Sequence, residues 1–466
     1  MNAPDPKSDP RLRLKSLLAS GEARLLPLAL PQRELWENSP VPPGDPVNHI
    51  CATIEIRGVF PFDLCQEALL AVVDRQEALR TSFLSGGGNV AQVVLAKSEA
   101  IIRCRDVGSA ENSAAVMAAV FSEPFDMVRG PLYRVAMLRM ATDHHILALV
   151  FHHAIADGWT LGVFVSDFTT AYILGLKQSG RAYGHIRGIK SGLPAPAMTY
   201  SAWAAAEKAR WQPPDIEREA VYWRARLAGS RHLFQNGPAG APMEPLQKWV
   251  TSLPVPCVDA ARALAKHAEV TLFSVLLTAF QMALFFWKAA DDVVLGVPHA
   301  NRAKPQTRDT MGYFAGVVPL RVRLLPGQSF LQTLQSNHAA QIEDFAHAMP
   351  FAELAKVVAG PNDGSAHPVF DVRFAFQNHP VPDIELPGIS TRLRTIRTGT
   401  SRRTGTSRFD IACELTEDAG ALEIVWLYRR PVANDEEIGN LERLMRAVME
   451  EAGRNPGFLP GQHILT

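Results

Sequence analysis

The 466-residue chain has little cysteine, no excess of either charge and no apolar run long enough to cross a bilayer. Each of these shortages removes a class of function. The five cysteines (Cys51, Cys65, Cys104, Cys257 and Cys413) are scattered, odd in number and without metal-ligand spacing, so they read as reduced thiols of a cytoplasmic protein. Forty-seven basic residues balance forty-seven acidic ones, which gives no broad pull toward nucleic acid or an anionic membrane. The longest apolar-rich stretch, LFSVLLTAFQMALFFW (272–287), is short of a span and is interrupted by Ser274, Thr278 and Gln281; it reads as a buried helix. The opening MNAPDPKSDPRLRLKS lacks the apolar centre of a signal peptide.

What is present is the mix of a globular protein, 47% hydrophobic and 20% charged, in a chain too long for one ordinary core. Two domains are expected. Residues 1–24 read as an N-terminal tail, polar and rich in proline, loose or forming a short helix. A first lobe follows over 25–180, with a strand at ICATIEIRG (50–58), a helix over 63–80, short strands near 90–95 and 100–106, and a helix across 111–122. LYRVAMLRM and HHILALVFHH read as a hairpin turning at 141–143, and 160–176 as an amphipathic helix. The Gly- and Pro-containing stretch 178–198 has no sustained apolar period, so 181–198 is taken as the linker. A second lobe over 199–466 begins with a long helix broken by proline at 213–214 and then repeats the strand-and-helix grammar of the first. The fold class expected is α/β, as two similar α+β sandwich lobes.

The segment FHHAIADGWTLG (151–162) concentrates reactive side chains where an apolar strand ends. His152 and His153 project to opposite faces of an extended segment, so one enters the core while the other faces a cleft; His153 is assigned to the cleft. An imidazole titrates near neutrality and can accept a proton there. Asp157 can orient a ring or pair with an arginine, and Gly158 allows close backbone approach or an unusual dihedral. The helix that follows offers backbone amides to developing negative charge. A satisfied structural pair is the commoner fate of two adjacent histidines. A metal site is disfavoured: His144 and His145 form a second pair, but eight residues of strand hold it roughly 26 Å from His153, and no Cys or Glu ligand set stands nearby.

HHAIADGW resembles the HHxxxDG signature of the condensation domains of nonribosomal peptide synthetases, within the chloramphenicol-acetyltransferase-like superfamily. LPQRELW (30–36) resembles the family's AQxRLW segment, and DRQEALRTSF (74–83) its RHExLRTxF segment, with Gln76 where histidine is usual. TLFSVLLTAFQMALFFW, DDVVLGVPHANR, MGYFAGVVPLRV (311–322), MPFAELAKVV and SRFDIACELTED follow in the family's order, so the resemblance covers residues 25 to 466. It implies two acetyltransferase-like lobes set as a V-shaped pseudo-dimer with a central tunnel. It implies no bound cofactor or metal, the donor being a thioester on the phosphopantetheine arm of an acyl or peptidyl carrier protein. His153 becomes the catalytic histidine, a general base or a group that positions the nucleophile, with His152 beside it. Asp157 becomes mainly structural, paired with Arg302 and keeping the lobes in register. Gly158 lies beside the thioester, and Trp159, Gly316 and Arg302 are assigned to substrate binding.

Departures from the pattern are informative. Gly316 stands where the family has asparagine, which widens the acceptor channel or removes a hydrogen bond. Thr160 replaces a frequent serine and keeps a helix-capping hydroxyl. The absent DFGWG segment counts against plant-type acyltransferases that use coenzyme A thioesters. Neither an adenylation nor a carrier domain is recognisable, so the enzyme is expected to act free-standing and in trans, as a monomer, without nucleic acid or membrane. RLRTIRTGTSRRTGTSR (392–408) is the one local charge anomaly. It reads as a solvated loop or, through Arg402 and Arg403, as a docking surface for an acidic carrier. The expected function is acyl transfer from a carrier protein to an amine or alcohol. The rivals are a non-catalytic recruitment module of the same fold, an acyltransferase that uses coenzyme A thioesters or builds complex lipids, and an epimerisation domain.

Overall fold

The computed structural model describes residues 10–38, 44–86, 88–108, 110–179, 192–234, 246–358, 369–377, 384, 386, 388–397, 403–404, 409–418, 420–430 and 432–460. They fall into two compact units. Unit 1 takes the described residues of Met1–Arg210, Ala300–Ala315 and His379–Thr400; unit 2 takes those of Trp211–His299, Gly316–Asn378 and Ser401–Thr466.

Unit 1 carries α1 (Pro10–Ala19), β1 (Ala23–Pro27), α2 (Leu30–Asn38), β2 (His49–Arg57), α3 (Phe62–Arg75), β3 (Thr81–Gly86), β4 (Asn89–Leu95), β5 (Ile102–Asp106), α4 (Ala110–Ser122), β6 (Tyr133–Ala141), β7 (His144–His152), α5 (Gly158–Ser179) and α6 (Tyr200–Arg210). Strands β1, β4 and β3 form a small sheet. The main sheet runs β12-β2-β7-β6-β5, where β12 (Ser390–Arg397) comes from late in the chain and pairs antiparallel with β2. The apolar run ILALV in β7 follows from burial on both faces. Leu147 and Leu149 pack with α3 and α5, whereas Ala148 faces α4 with Ala136 and Leu138 of β6. A strand covered on both sides loses the alternation of a half-exposed one.

α5 has the length and apolarity of a membrane span, but 61% of that window is buried inside the protein, as befits a core helix. The Pro break at 213–214 is real and separates α6 from α7 (Pro213–Leu227).

Unit 2 is built from α7, β8 (Leu246–Leu253), α8 (Val255–His267), α9 (Leu272–Lys288), β9 (Asp292–His299), β10 (Gly316–Arg323), α10 (Phe330–Ala346), α11 (Phe351–Val358), β11 (Val372–Gln377), β13 (Arg403–Thr404), β14 (Ile411–Asp418), β15 (Ala421–Tyr428) and α12 (Asp435–Arg454). Its sheet runs β10-β9-β11-β14-β15-β8-β13. The apolar stretch at 272–287 is α9, with every residue from Ser274 to Leu284 buried and α8, α10 and α12 packed around it. A helix apolar all round is a core helix.

Several sequence expectations change. The short helix allowed for in the N-terminal tail is α1, but the first residues of β1 also fall before residue 25. The charged segment at 392–408 is not one loop, since 390–397 is an edge strand on the first sheet. Arg392 and Arg394 are exposed on it, as charge on an edge strand should be. The short strand β13 pairs with β8. Arg402 lies outside the described residues, as does the side chain of Arg403. The linker is described only from residue 192 onward. Helix α6, expected to open the second lobe, belongs to unit 1, because Tyr200 and Trp203 pack on Ala29 and Phe314. The units are therefore interleaved in sequence.

Candidate active site

Strand β7 delivers both histidines and then stops. His152, its last residue, is 0% exposed and closes the strand by accepting the Ala154 amide on Nδ1 at 3.0 Å. Nδ1 therefore carries no proton, and the ring sits edge-on to Phe125 and to His49, its cross-strand partner on β2. His152 is the inward member of the pair. His153 opens a 3-10 turn over His153–Ile155 and is only half-buried. The Tyr313 ring lies 4.5 Å from it, edge-on. The turn is held from behind by Gln32 of α2, whose amide donates to Ala154 O at 2.8 Å. His144 and His145 stand at the opposite end of β7, and no metal-holding group of side chains exists among the described residues.

Asp157 is 2% exposed and fully engaged. One carboxylate oxygen accepts from the Thr160 amide at 2.9 Å and the Arg302 guanidinium at 3.1 Å. The other accepts from the Phe314 amide at 3.1 Å. Thr160 answers reciprocally, its Oγ1 accepting the Asp157 amide at 3.2 Å. Asp157 and Thr160 thus form a capping box at the start of α5, satisfying two otherwise orphaned donors. The cap itself is Asp157; the Thr160 hydroxyl reaches back to it. The same hydroxyl accepts the Gly312 amide at 3.2 Å and has Gly312 O at 3.0 Å, so it also straps the 300–315 segment to the motif. The Thr160 amide is committed to Asp157 and is unavailable to a developing oxyanion. Gly158 opens α5 without a left-handed φ, so an unusual dihedral is not what calls for glycine there.

Arg302 is 6% exposed. Its other arm donates to Thr307 O at 2.6 Å and Thr310 O at 2.7 Å, and its guanidinium lies 3.8 Å from the centre of the Phe314 ring. Burial lowers the Arg302 pKa from its usual value, while the Asp157 carboxylate pulls it back up. Because Ala300–Ala315 belongs to unit 1, this ion pair fixes one segment onto the His-His motif within a single unit. Trp159 donates its indole N–H to Arg308 O at 2.9 Å on the same segment.

Two contributors were not read as site residues from sequence. Tyr313, beside His153, is held by Tyr200, whose hydroxyl donates to Tyr313 O at 2.7 Å. Gln76, noted only as a departure, donates to Asp167 of α5 at 2.8 Å and to Asp309 O at 3.0 Å, and accepts the Met311 amide at 3.0 Å. Burial raises the Asp167 pKa against the pull of Gln76 and Arg75. In unit 2, Gly316 opens β10 directly opposite His299, the last residue of β9.

The chain is similar to a linear gramicidin synthase of Brevibacillus parabrevis, 28% identical over 94% of this chain and 9% of that protein. It is 29% identical to the phosphinothricin tripeptide synthetase PhsC of Streptomyces viridochromogenes, over 93% of this chain and 40% of that one. It thus spans less than half the length of these relatives. Among solved structures, the SgcC5 protein from Streptomyces globisporus superposes with a TM-score of 0.76 at 22% identity, over 92% of this chain and 99% of that one. The X-domain from teicoplanin biosynthesis gives 0.75 at 21%, over 94% and 97%. The first condensation domain of the CDA synthetase gives 0.74 at 19%, over 95% and 99%. These likenesses share the two-lobed acetyltransferase-like fold. A family model described as the condensation domain matches residues 22–458, and with nearly its whole length inside that match the chain belongs to the condensation-domain family.

Proposed function

We propose that the protein transfers an acyl group from a phosphopantetheine thioester on a carrier protein, acting in trans, to an amine or alcohol. The supporting observation is the division of labour within HHAIADG. His152 is locked into the sheet and Asp157 into the cap and the Arg302 pair, while His153 stands past the strand end, half-buried beside Tyr313, and is assigned the chemistry. The acceptor's nitrogen or oxygen attacks the thioester carbon, the C–S bond breaks, and the departing sulfur carries off the proton that the acceptor loses. His153 meets that nucleophile, taking its proton in transit or accepting the hydrogen bond that aims it. Within unit 1, Gly158 and Trp159 frame the substrates beside His153, and Arg302 supports them through Asp157. The donor arm docks with help from the cationic segment that includes Arg402 and Arg403. No metal or resident cofactor is required by this scheme. With no disulfide joining its cysteines, the protein suits a reducing cytoplasm.

The test is intact-mass analysis of an acylated carrier protein incubated with candidate acceptors. Loss of the acyl mass from the carrier, with the amide or ester appearing in solution, is the expected result. Binding of the carrier without turnover against any acceptor would favour a recruitment module. The teicoplanin X-domain, of this same fold, was solved in complex with OxyB.

A further inference from the structure

The run Met311–Phe314 has no regular secondary structure, yet its backbone is gripped by four side chains. The Met311 amide donates to Gln76 at 3.0 Å and the Gly312 amide to Thr160 at 3.2 Å. Tyr313 O accepts from the Tyr200 hydroxyl at 2.7 Å, and the Phe314 amide donates to Asp157 at 3.1 Å. Gln76, Thr160, Tyr200 and Asp157 are all buried, and all belong with this run to unit 1. Tyr200 also sets the surface on which the run lies. A Cβ at 312 would come 2.1 Å from Cδ2 of its ring, so the ring rests directly on the backbone it grips, and only glycine permits that contact. Burial raises the Tyr200 pKa well above its ordinary value, so the hydroxyl stays a donor.

One side chain of the run is treated differently from its neighbours. Met311, Gly312 and Phe314 are buried, whereas Tyr313 is held partly exposed. Its ring meets the His153 imidazole with centroids 4.5 Å apart and planes at 65°. That distance and angle suit an edge-to-face aromatic pair. The main chain beside His153 is fixed as well, because Gln32 donates to Ala154 O and the Ala154 amide donates to His152. With both main chains pinned, the packing of ring on ring governs how the imidazole is turned. A tyrosine needed only to fill space would be buried as Met311 and Phe314 are.

We infer that Tyr313 is a positioning residue for His153, its ring fixing the orientation of the imidazole, and that Tyr200 acts on His153 through it. The inference rests on the assignment of the chemistry to His153 given above.

The experiment pairs steady-state kinetics with histidine-selective NMR of the full chain, for Tyr313→Leu, Tyr313→Phe and Tyr200→Phe. The Cε1–H signal of His153 is assigned by its absence from His153→Gln. In the native protein the neighbouring ring displaces that signal, and Tyr313→Leu should return it toward the position of an unshifted histidine. The same variant should lower kcat about two- to tenfold, the worth of one aromatic pair, with KM for the acylated carrier and for the acceptor unchanged. Tyr313→Phe keeps the ring and should restore both the signal and kcat. Tyr200→Phe removes only the hydroxyl that bonds Tyr313 O, so it should move the same signal and lower kcat in the same direction. Should Tyr313→Leu not fold, as thermal midpoints will tell, Tyr313→Met takes its place as a ringless variant with a flexible side chain.

An unmoved His153 signal in the ringless variant would overturn the inference, and so would a native kcat. A Tyr313→Phe protein as impaired as Tyr313→Leu would also sink it, since the hydroxyl and not the ring would then hold the role. If the native protein transfers no acyl group to any acceptor, the proposed reaction fails on its own account. The NMR signal then decides by itself whether Tyr313 orients His153.

Discussion

Arg302 donates to both carboxylate oxygens of Asp157, at 3.1 and 3.2 Å, and the two side chains are only 1% and 3% exposed. Removing either partner strands the other as a buried, uncompensated charge, at a cost on the order of 3–5 kcal/mol.

Asp157→Ala and Arg302→Ala should therefore each lower thermal stability and activity together, and the double variant should be less damaged than the two losses added. His153→Ala should behave differently. Its midpoint should stay within a few degrees of the native one while turnover falls about a hundredfold to ten-thousandfold, the range for a lost general base. A fully stable but inactive Asp157→Ala enzyme would move Asp157 into the chemistry. Near-native turnover by His153→Ala would leave catalysis to positioning alone.

Thr160 and Gln76 hold the 300–315 segment from two sides. Thr160→Val keeps the shape of the side chain but leaves the Asp157 and Gly312 amides without their acceptor. Denaturant unfolding should show a loss of about 1–3 kcal/mol per buried group left unsatisfied, while Thr160→Ser should sit near the native value. Gln76→Leu should show a loss of the same order, since the Met311 amide and Asp167 lose their partner. A Thr160→Val protein as stable as the native one would remove the hydroxyl from the list of supports.

Burial holds the imidazoles of His49, His145 and His299 below their ordinary value of 6.5. A depressed histidine is neutral in the folded chain and protonated in the unfolded one across the window between its two pKa values. Stability contributed by keeping it neutral is present above about 6.5 and is lost as pH falls toward about 4 for His299. Asp167 and Asp371, raised by burial, oppose this trend in part. Comparison with His299→Gln isolates one imidazole: the native midpoint should fall more steeply between pH 7 and pH 5 than that of the variant. Parallel curves would show that the His299 pKa is the same folded and unfolded.

Neutralising Arg402 and Arg403 should raise the apparent KM for the acylated carrier and leave turnover nearly unchanged. The effect should shrink as salt is added, because exposed charges are screened over about 8 Å at physiological ionic strength. Kinetics unaffected at low salt would reduce this segment to a solvated surface.

Much of the site was legible in sequence because it is local. HHAIADG places a strand end, a cap and a helix start within a few residues, and the apolar run before it reports burial on both faces. Arg302 was legible through VPHANR. What sequence hid was the partner of each long-range contact. Gln32 and Gln76 are ordinary polar residues until the chain segments they bond are known. Gly316 looked like a gap because His299, seventeen residues earlier, had to be placed opposite it by sheet register, where its ring takes the space of a Cβ. The strand at 390–397 carries no clean alternation, since Leu393 and Ile396 are three residues apart. Its arginines suit an edge strand and a solvated loop equally.

That strand has a consequence for biogenesis. β2 pairs with β7 on one side, but its other edge is covered, among the described residues, only by β12, made roughly 330 residues later, which at ~10 residues per second is about half a minute of ribosome time. For that interval the first sheet has an unmatched border of backbone donors and acceptors, a template on which a neighbouring nascent chain can pair. Truncation before residue 390 makes the exposure permanent. The amino-terminal half expressed alone should therefore aggregate, however intact its HHAIADG segment.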